Sequence, residues 1–375
     1  MRVAVAGAGA FGRNHLRVYR ELETAGLGVA LAAAIEPDPE RAAETAAKYA
    51  IPVFATPEAL LAADLHIDAA TVAVPTVYHH AVASVLLDAG LDLLVEKPLA
   101  ASLAEADDLI RLADKGGRIL EPGHLERFNP AVLAIESQLH RPMFFESHRL
   151  SIFGPRALDV DVVLDLMIHD LDIVLTFANS EVRDVRAVGL PILSPKVDIA
   201  NVRVEFESGC VANFTASRVS TERVRKLRFF QPAQYVSLDY SRRDVFSLTV
   251  KPTASGVPEI VPSKPPVSAE EPLRAELGSF LHAVRTRATP EVTLEDGRAA
   301  LALAFEIQQQ MAEHQKRAHL DEVAAPMRAA IPASRANHHR RAARMLPCSS
   351  SRRRSHFAGC EPCKCGSASS AIPRK

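Results

Sequence analysis

The chain has 375 residues, of which 48% are hydrophobic and 24% charged, and its formal net charge is −1. This length suffices for two domains with sizeable cores, and the composition is that of a globular protein. No apolar run approaches the roughly 18 residues of a membrane span, so we expect no contact with a membrane. The first residues show neither the basic flank nor the cleavage site of a signal peptide, and Cys210 is the one cysteine before the tail. We therefore expect a cytoplasmic protein without a disulfide framework.

The first predicted strand leads into a glycine-rich turn. Residues 3–6 are apolar, which is typical of a strand buried on both faces of a parallel sheet. In the pattern Gly7-x-Gly9-x-x-Gly12, the first glycine permits a tight turn, the second lets a pyrophosphate approach, and the third lets a helix pack on the strand. A plain glycine-rich loop is the alternative. The position between a strand and a helix that begins near Phe11 favours a dinucleotide site.

The second predicted strand, residues 29–35, ends at Glu36. In this motif an acid at that place receives the ribose hydroxyls of the dinucleotide. A carboxylate there repels a 2′-phosphate, so we expect NAD rather than NADP, although the nearby Arg41 weakens the preference. The alternative is a solvated carboxylate at a strand end.

Apolar strands alternate with helices as far as residue 121, which predicts a doubly wound parallel sheet. The predicted elements are a helix at 41–49, a strand at 53–54, a helix at 57–63, a strand at 69–74, a helix at 81–89, a strand at 91–95, a helix at 103–115 and a last segment at 118–121. Ligands of such sheets bind at the carboxyl ends of the strands. Four segments fall at those ends: Gly7, Glu36, Pro75-Thr76 and Glu96-Lys97-Pro98.

After about residue 123 the pattern indicates helices and a largely antiparallel sheet. Helices are predicted over 129–139, 160–177, 273–286 and 294–316, strands over 143–150, 182–188, 200–206, 210–218, 224–230, 235–239 and 245–250, and a loop over 251–272. The fold class is therefore α/β. We divide the chain into a dinucleotide-binding domain over 1–122, a substrate and oligomerisation domain over 123–320 and a tail over 321–375.

The tail is rich in Arg and Ser, with eleven Lys and Arg and one acid in residues 326–375. This composition predicts disorder. The cluster Cys360-x-x-Cys363-x-Cys365 could bind zinc, but an unstructured basic extension is favoured because no folded scaffold is visible around it. We expect no nucleic-acid partner.

Lys97 is the first candidate for chemistry, at a strand end in the predicted cofactor cleft. Pro98 restricts the backbone of Lys97 to extended conformations, which could direct the side chain across the cleft. A buried lysine can have a lowered pKa and can orient a hydroxyl and relay its proton. The alternative is an ordinary surface pair of Glu96 and Lys97.

The second candidate is Asp165-x-x-x-His169, whose two side chains share one face of a helix. The carboxylate can fix the tautomer of the histidine, which titrates near neutral pH. A satisfied core histidine is the alternative, but an acid in an apolar run argues for a role. Asp161 and Asp172 are predicted to be solvated or capping. A metal site formed with His148 is disfavoured because no H-E-x-x-H spacing is present, and a serine hydrolase is disfavoured because no G-x-S-x-G turn is present.

These motifs together resemble the Gfo/Idh/MocA oxidoreductases. The resemblance covers roughly residues 1–318 and includes two later segments, 271–280 and 293–297. It implies a Rossmann domain joined to an α/β domain whose large open sheet forms a homodimer or homotetramer interface. It also implies oxidation or reduction of a sugar or cyclitol carbon with NAD or NADP.

The resemblance gives individual roles to the candidate residues. It implies that Lys97 is the catalytic lysine, that His169 is the general acid/base and that Asp165 is its helix partner. It further implies that Pro75, Thr76 and His79 line the nicotinamide side, and that Glu96 and Pro98 complete the cofactor wall.

Segments 123–130 and 161–170 resemble family members that act on UDP-N-acetylglucosamine. Those members oxidise the C3 hydroxyl of the sugar ahead of amination for a modified lipid A. The narrower resemblance implies that His124, Arg127 and Asn129 face the substrate or the domain boundary. The alternatives are an inositol or simple hexose dehydrogenase, and a non-catalytic NAD-binding sensor or scaffold that reaches a partner through its basic tail.

Overall fold

The computed structural model describes residues 1–154, 160–254 and 256–319. The predictions made for the basic tail, including its cysteine cluster, lie outside these residues. The strands of a first sheet are β1 (Arg2–Ala6), β2 (Ala30–Ile35), β3 (Val53–Phe54), β4 (Ala69–Val72), β5 (Asp92–Glu96) and β6 (Leu120–Gly123). They are parallel and lie in the order β3-β2-β1-β4-β5-β6. The chain order reverses between β1 and β4, which opens a crevice for a ligand at their carboxyl ends.

Helices connect these strands: α1 (Gly12–Thr24), α2 (Pro39–Tyr49), α3 (Pro57–Ala62), α4 (His79–Asp88) and α5 (Leu103–Gly116), with 3-10 helices at Thr76–Tyr78 and Leu125–Phe128. Local chemistry sets their ends. The side chains of Asp38 and Ser102 accept hydrogen bonds from backbone N–H groups in the first turns of α2 and α5. Gly117, with φ of 60°, terminates α5 in the left-handed conformation that glycine adopts without strain.

A second sheet contains β7 (Phe144–Leu150), β8 (Val182–Leu190), β9 (Ile199–Phe206), β10 (Val211–Ser217), β11 (Val224–Gln231), β12 (Gln234–Asp239), β13 (Asp244–Lys251) and β14 (Glu259–Ser263). The order is β14-β13-β12-β11-β7-β10-β9-β8. β7 and β10 are parallel, and the other neighbours are antiparallel. Side chains alternate between buried and more exposed along β9, so one face of the sheet is covered.

Helices cover that face: α6 (Pro130–Glu136), α7 (Ile168–Ala178) and α9 (Leu294–Arg317). The remaining helix, α8 (Pro272–Thr286), returns to the first sheet and packs Leu273, Leu277 and Phe280 against α1 and β1. α9 also contributes Leu301 to the core of the first sheet. The predicted boundary after residue 122 follows the change of sheet, yet the two C-terminal helices pack on the first domain as well.

The structure confirms the predicted α/β class, with one parallel and one mostly antiparallel sheet. Two predictions are wrong in detail. The loop predicted over 251–272 contains β14, which pairs with β13 as an edge strand and therefore tolerates Pro262. The helix predicted over 160–177 begins as a π-helix at Val163–Met167, where the N–H of Ile168 donates to the Val163 carbonyl five residues earlier. None of the described helices is long and apolar enough to cross a membrane.

Candidate active site between the two sheets

The glycine-rich turn has the geometry of a phosphate-binding loop. Gly7 has φ of 95°, and a Cβ there would lie 2.5 Å from the Ala73 carbonyl oxygen. A Cβ on Gly12 would overlap the Gly7 carbonyl. A Cβ on Gly9, by contrast, would meet no atom within 4 Å, so the turn is open on that side. α1 begins here without a side-chain cap, and Phe11 at its N-cap is 40% exposed. Uncapped amides beside open space suit a pyrophosphate.

Glu36 is buried at the end of β2 and contacts this turn directly. Its carboxylate accepts a hydrogen bond from the N–H of Ala8 at 2.9 Å. It also accepts bonds from the N–H of Asp38 at 3.0 Å and from the Arg41 guanidinium at 2.9 Å. Loss of solvation opposes ionisation, but these three donors outweigh it and lower the pKa of Glu36. The carboxylate is therefore charged, at the position that the sequence predicted for ribose recognition.

Glu96, Lys97 and Pro98 lie at the end of β5, in the same crevice. Glu96 accepts a hydrogen bond from Nε2 of the buried His15 at 2.8 Å. The His15 ring packs edge-on against Phe11, with ring centroids 5.3 Å apart. The Lys97–Pro98 peptide bond is cis. Glu96 thus joins the strand end to α1, beside the candidate lysine.

Lys97 reaches from the first domain to the second. Its Nζ donates a hydrogen bond to the backbone carbonyl of Asp165 at 2.7 Å. That carbonyl belongs to the π-helical turn that immediately precedes His169. The contact brings the predicted lysine and the predicted histidine into one site, although they are far apart in sequence.

His169 lies in the first turn of α7 and is partly buried. Its Nδ1 is enclosed and has no hydrogen-bond partner among the described residues. Loss of solvation lowers the pKa of His169 well below its usual value, and the positive charges of Lys97, Arg149, His124 and Arg225 lower it further. The imidazole is therefore neutral at neutral pH, which is the form that accepts a proton.

The side chains of Asp165 and His169 are not hydrogen-bonded to each other in the described residues, and the predicted role of Asp165 as helix partner stays a prediction. The described structure contains no hydrogen bond between the Asp165 carboxylate and the imidazole; Asp165 contributes its backbone carbonyl to Lys97 instead. The π-helical turn explains the difference, because four-residue spacing has its α-helical meaning only within an α-helix. Asp161 caps this turn, as predicted, by accepting bonds from the N–H groups of Val163 and Leu164.

A buried ionic network joins α7 to the second sheet. Arg149 on β7 is fully buried and bonds both carboxylate oxygens of Asp170, at 2.7 and 2.9 Å. It also donates to Glu126 at 3.0 Å. Loss of solvation disfavours the charge of Arg149, but Asp170 and Glu126 outweigh it and raise its pKa. This network fixes the residue next to His169 to the second sheet.

The residues expected to face the substrate are mostly occupied within the protein. Arg127 donates to Asp172 at 2.9 Å, so the expectation that Asp172 is solvated or capping is wrong: it is a buried ion-pair partner. Asn129 caps α6 and donates to Glu126 and to the Tyr240 carbonyl. These contacts use the polar atoms of Asn129, and its predicted place at the substrate or the domain boundary stays a prediction.

Arg127 pairs with Asp172 of α7 and with Asp296 at the start of α9, and its predicted place at the substrate or the domain boundary stays a prediction. His124 is buried, with Nδ1 3.8 Å from the Asp172 carboxylate and with neither ring nitrogen hydrogen-bonded among the described residues. Loss of solvation lowers the pKa of His124. Its predicted role toward the substrate stays a prediction.

His79 is a buried link between two loops. Its ring nitrogens lie 2.9 Å from the carbonyl oxygens of Val74 and Pro98, at the ends of β4 and β5. The ring therefore links these two loops, and its predicted place on the nicotinamide side stays a prediction. Pro75 is exposed and Thr76 partly exposed in the same loop, and their predicted contact with the cofactor stays a prediction.

Two carboxyls that the sequence analysis overlooked are buried under the crevice. Glu121 on β6 and Glu276 on α8 are fully buried and have no hydrogen-bond partners among the described residues. Loss of solvation, followed by the charge of Glu291, raises the pKa of Glu121 to about 8. Glu276 lies between Leu273 and Leu277 on the apolar face of α8, and this spacing was a detectable sign of burial.

The described residues contain no group of three or more His, Cys, Asp or Glu side chains arranged to hold a metal ion. The site offers its chemistry an open phosphate-binding turn, a charged Glu36, a lysine that bridges the domains and a neutral histidine.

Comparison with known proteins identifies the family to which the two domains are similar. Residues 1–124 match the family model described as oxidoreductase family, NAD-binding Rossmann fold, and residues 131–230 match the Gfo/Idh/MocA C-terminal domain. UDP-N-acetylglucosamine 3-dehydrogenase of Acidithiobacillus ferrooxidans is 35% identical over 309 residues, which cover 82% of this chain and 96% of that protein. A solved structure of the same enzyme superposes with a TM-score of 0.76, covering 83% of this chain and 97% of that one.

More distant relatives include inositol dehydrogenases. Inositol 2-dehydrogenase of Acidothermus cellulolyticus is 29% identical over 196 residues, which cover 50% of this chain and 56% of that protein. A solved complex of levoglucosan dehydrogenase with NADH shares the fold, with 18% identity, a TM-score of 0.74 and coverage of 84% of this chain and 97% of that one. The chain therefore belongs to the Gfo/Idh/MocA family of NAD-binding oxidoreductases.

Proposed function

We propose that the protein oxidises the C3 hydroxyl of UDP-N-acetylglucosamine with NAD. The observation that carries the proposal is the 35% identity to the UDP-N-acetylglucosamine 3-dehydrogenase of Acidithiobacillus ferrooxidans, which extends over 96% of that enzyme's length. The site adds support, since Lys97 of the first domain bonds the Asp165 carbonyl, four residues before a neutral His169 of the second. The two are the groups that alcohol oxidation requires: one to hold the hydroxyl oxygen and one to take its proton.

The chain fits NAD at the crevice between β1 and β4. The amides at the start of α1 and the open side of Gly9 would hold the pyrophosphate, and Glu36 would receive the ribose hydroxyls. Arg41 pairs with Glu36, so its charge is committed to that carboxylate rather than free for a 2′-phosphate. When bound, NAD accepts a hydride from the carbon that is oxidised.

His169 is the base in this proposal. Nδ1 is enclosed, which leaves Nε2 as the ring nitrogen on the open side, and the lowered pKa keeps it unprotonated until the substrate arrives. Lys97 donates toward the hydroxyl oxygen and stabilises the negative charge that develops there. Its bond to the Asp165 carbonyl holds the ammonium beside His169 before the sugar binds.

The finer expectations follow from the same relationship. We expect the ketone product to be aminated for a modified lipid A, the exposed face of the second sheet to form a homo-oligomer, and the enzyme to work in the cytoplasm. An inositol or simple hexose dehydrogenase is the alternative, because inositol dehydrogenases are among the relatives. A non-catalytic sensor is disfavoured by the presence of both Lys97 and His169 in one site.

The test is a substrate panel with NAD and with NADP, monitored through NADH absorbance. We expect turnover with UDP-N-acetylglucosamine and NAD, and much weaker turnover with inositol and hexoses. Lys97→Ala and His169→Ala should each lower kcat by about 100- to 10,000-fold, which is the usual contribution of a positioned acid or base. His148→Ala is the matched control, since it removes a partly exposed histidine from β7 and should leave kcat unchanged.

Oxidation of inositol in preference to the nucleotide sugar would replace the proposed substrate without affecting the assignment of the two residues. Near wild-type kcat in both Lys97→Ala and His169→Ala would show that the site has been assigned wrongly.

A further inference from the structure

Arg225 is a cation without a counter-ion on the active-site side of the second sheet. It lies in β11, directly opposite Arg149 of β7 in the strand register. Its side chain is exposed and has no hydrogen bond or ion pair with any residue in the described ranges. Lys226, the next residue, pairs with His148 and points to the opposite face of the sheet. Arg225 therefore shares a face with Arg149 and with α7.

The nearest carboxylates cannot neutralise Arg225. Glu126 and Asp170 attract it, but both are bonded to Arg149 at 3.0 Å or less. Although part of the side chain reaches solvent, neighbouring atoms remove some solvation from the guanidinium, which lowers the pKa of Arg225, and repulsion from Arg149 and Arg223 lowers it further. A guanidinium held among other cations without a carboxylate of its own is stabilised by any anion that arrives.

Arg225 also lies close to the reacting end of the site. Its positive charge is one of four that lower the pKa of His169, together with those of Lys97, Arg149 and His124. Of these neighbours, Arg149 is neutralised by carboxylates and Lys97 is bonded to a carbonyl at the domain boundary. Arg225 is the arginine near His169 that remains exposed and uncommitted among the described residues.

We infer that Arg225 binds the diphosphate of a nucleotide-sugar substrate, an inference that rests on the proposed function. Inositol and free hexoses offer a guanidinium hydroxyl acceptors but no negative charge. In a nucleoside diphosphate sugar, the phosphates are attached at C1, across the sugar ring from C3. When C3 lies at His169, the diphosphate can therefore reach a cation that is near His169 but does not touch the reacting carbon. The planar guanidinium matches phosphate oxygens in pairs, and Arg223 at the start of the strand adds positive charge.

This role would make Arg225 a determinant of specificity within the family. It contributes substrate binding that is equal in the ground and transition states, so its loss should raise KM and leave kcat nearly unchanged. It would also favour nucleotide sugars over the neutral substrates of inositol dehydrogenases, since those substrates do not compensate for its desolvation.

The test uses the full chain saturated with NAD, so that UDP cannot occupy the cofactor's own pyrophosphate site. UDP binding is measured by titration calorimetry, and kcat and KM are measured with UDP-N-acetylglucosamine. For Arg225→Gln we expect the Kd of UDP and the KM of the sugar nucleotide to rise about 10- to 100-fold, as for loss of a charge-assisted pair, with kcat within about threefold of wild type. Arg225→Lys should recover part of the loss, because it keeps the charge but not the paired donors.

Lys226→Gln is the matched control, since it removes one positive charge from the adjacent position on the other face; the Kd of UDP should not change. An unchanged NAD affinity and melting temperature in Arg225→Gln establish that the exposed substitution leaves the fold intact. If wild type binds UDP and Arg225→Gln binds it equally well, the inference is wrong and the proposed function stands. If wild type saturated with NAD neither binds UDP nor oxidises UDP-N-acetylglucosamine, the proposed function fails and the inference fails with it.

Discussion

Replacing Glu121 by Gln should stabilise the protein, and increasingly so as the pH rises. Glu121 is fully buried on β6, and its pKa is raised from 4.5 to about 8. Below pH 4.5 the carboxyl is protonated in both the folded and the unfolded chain, so wild type and Glu121→Gln differ by packing alone. Between pH 4.5 and 8 the unfolded chain gives up the proton while the folded chain keeps it, and folding of the wild type becomes less favourable.

The magnitude follows from the pKa difference. Each pH unit in this window costs the wild type about 1.36 kcal/mol relative to a residue that does not titrate. The interval from 4.5 to 7 therefore corresponds to about 3 kcal/mol, and the full interval to pH 8 to about 5 kcal/mol. Above pH 8 both states are ionised and the difference levels off. An amide of the same shape occupies the site without this cost.

Urea unfolding of both proteins at pH 5, 6, 7 and 8 measures the difference, provided that the dependence on urea is the same for both. Glu291→Gln is the control: it removes an exposed carboxylate that contributes to the raised pKa of Glu121, and should change the free energy of unfolding by less than about 0.5 kcal/mol. A stability difference between Glu121→Gln and wild type that stays constant from pH 5 to 8 would mean that Glu121 is ionised in the folded protein, and the reasoning would be refuted.

Two further predictions concern the site itself. Gly9→Ala should leave the melting temperature unchanged but raise the KM for NAD, because its Cβ occupies open space in the phosphate-binding turn. Gly12→Ala should lower the melting temperature, since its Cβ overlaps the Gly7 carbonyl. Equal melting temperatures for the two variants would contradict this account of the turn. The midpoint of the acid limb of the pH profile of kcat/KM should lie below pH 6.5, because burial and the neighbouring cations lower the pKa of His169. Arg225→Gln should move this midpoint to higher pH by removing one of those cations. A midpoint near or above 6.5 in the wild type would show that the imidazole is not the base.

The parts of the site that could be predicted are those in which a backbone requirement selects the residue type. Gly7 needs a positive φ and Gly12 needs space, so the glycine pattern identified the turn. Glu36 and Lys97 were found because parallel strands place their carboxyl ends along one edge. Each of these rules connects a local pattern to a place in the fold.

The parts that could not be predicted depend on partners distant in sequence. Asp170 and Asp172 were visible as acids in an apolar run, but nothing in the sequence indicates that Arg149 and Arg127 pair with them. The π-helical turn was missed because its hydrophobic spacing over five residues does not differ from that of an α-helix. Asn129 carries the polar atoms of a binding residue, and only the fold shows that a helix end and a distant carbonyl use them.

The return of α8 to the first sheet affects how the protein is made. Leu273, Leu277 and Phe280 complete a core that includes residues of β1 and α1, at the opposite end of the chain. During synthesis the N-terminal strands leave the ribosome long before α8 exists, so the part of their sheet that α8 covers stays exposed until much of the chain has been translated. The nucleotide-binding half therefore cannot finish folding first, and a gene fragment that ends after β6 encodes a sheet with an exposed apolar face rather than a transferable module.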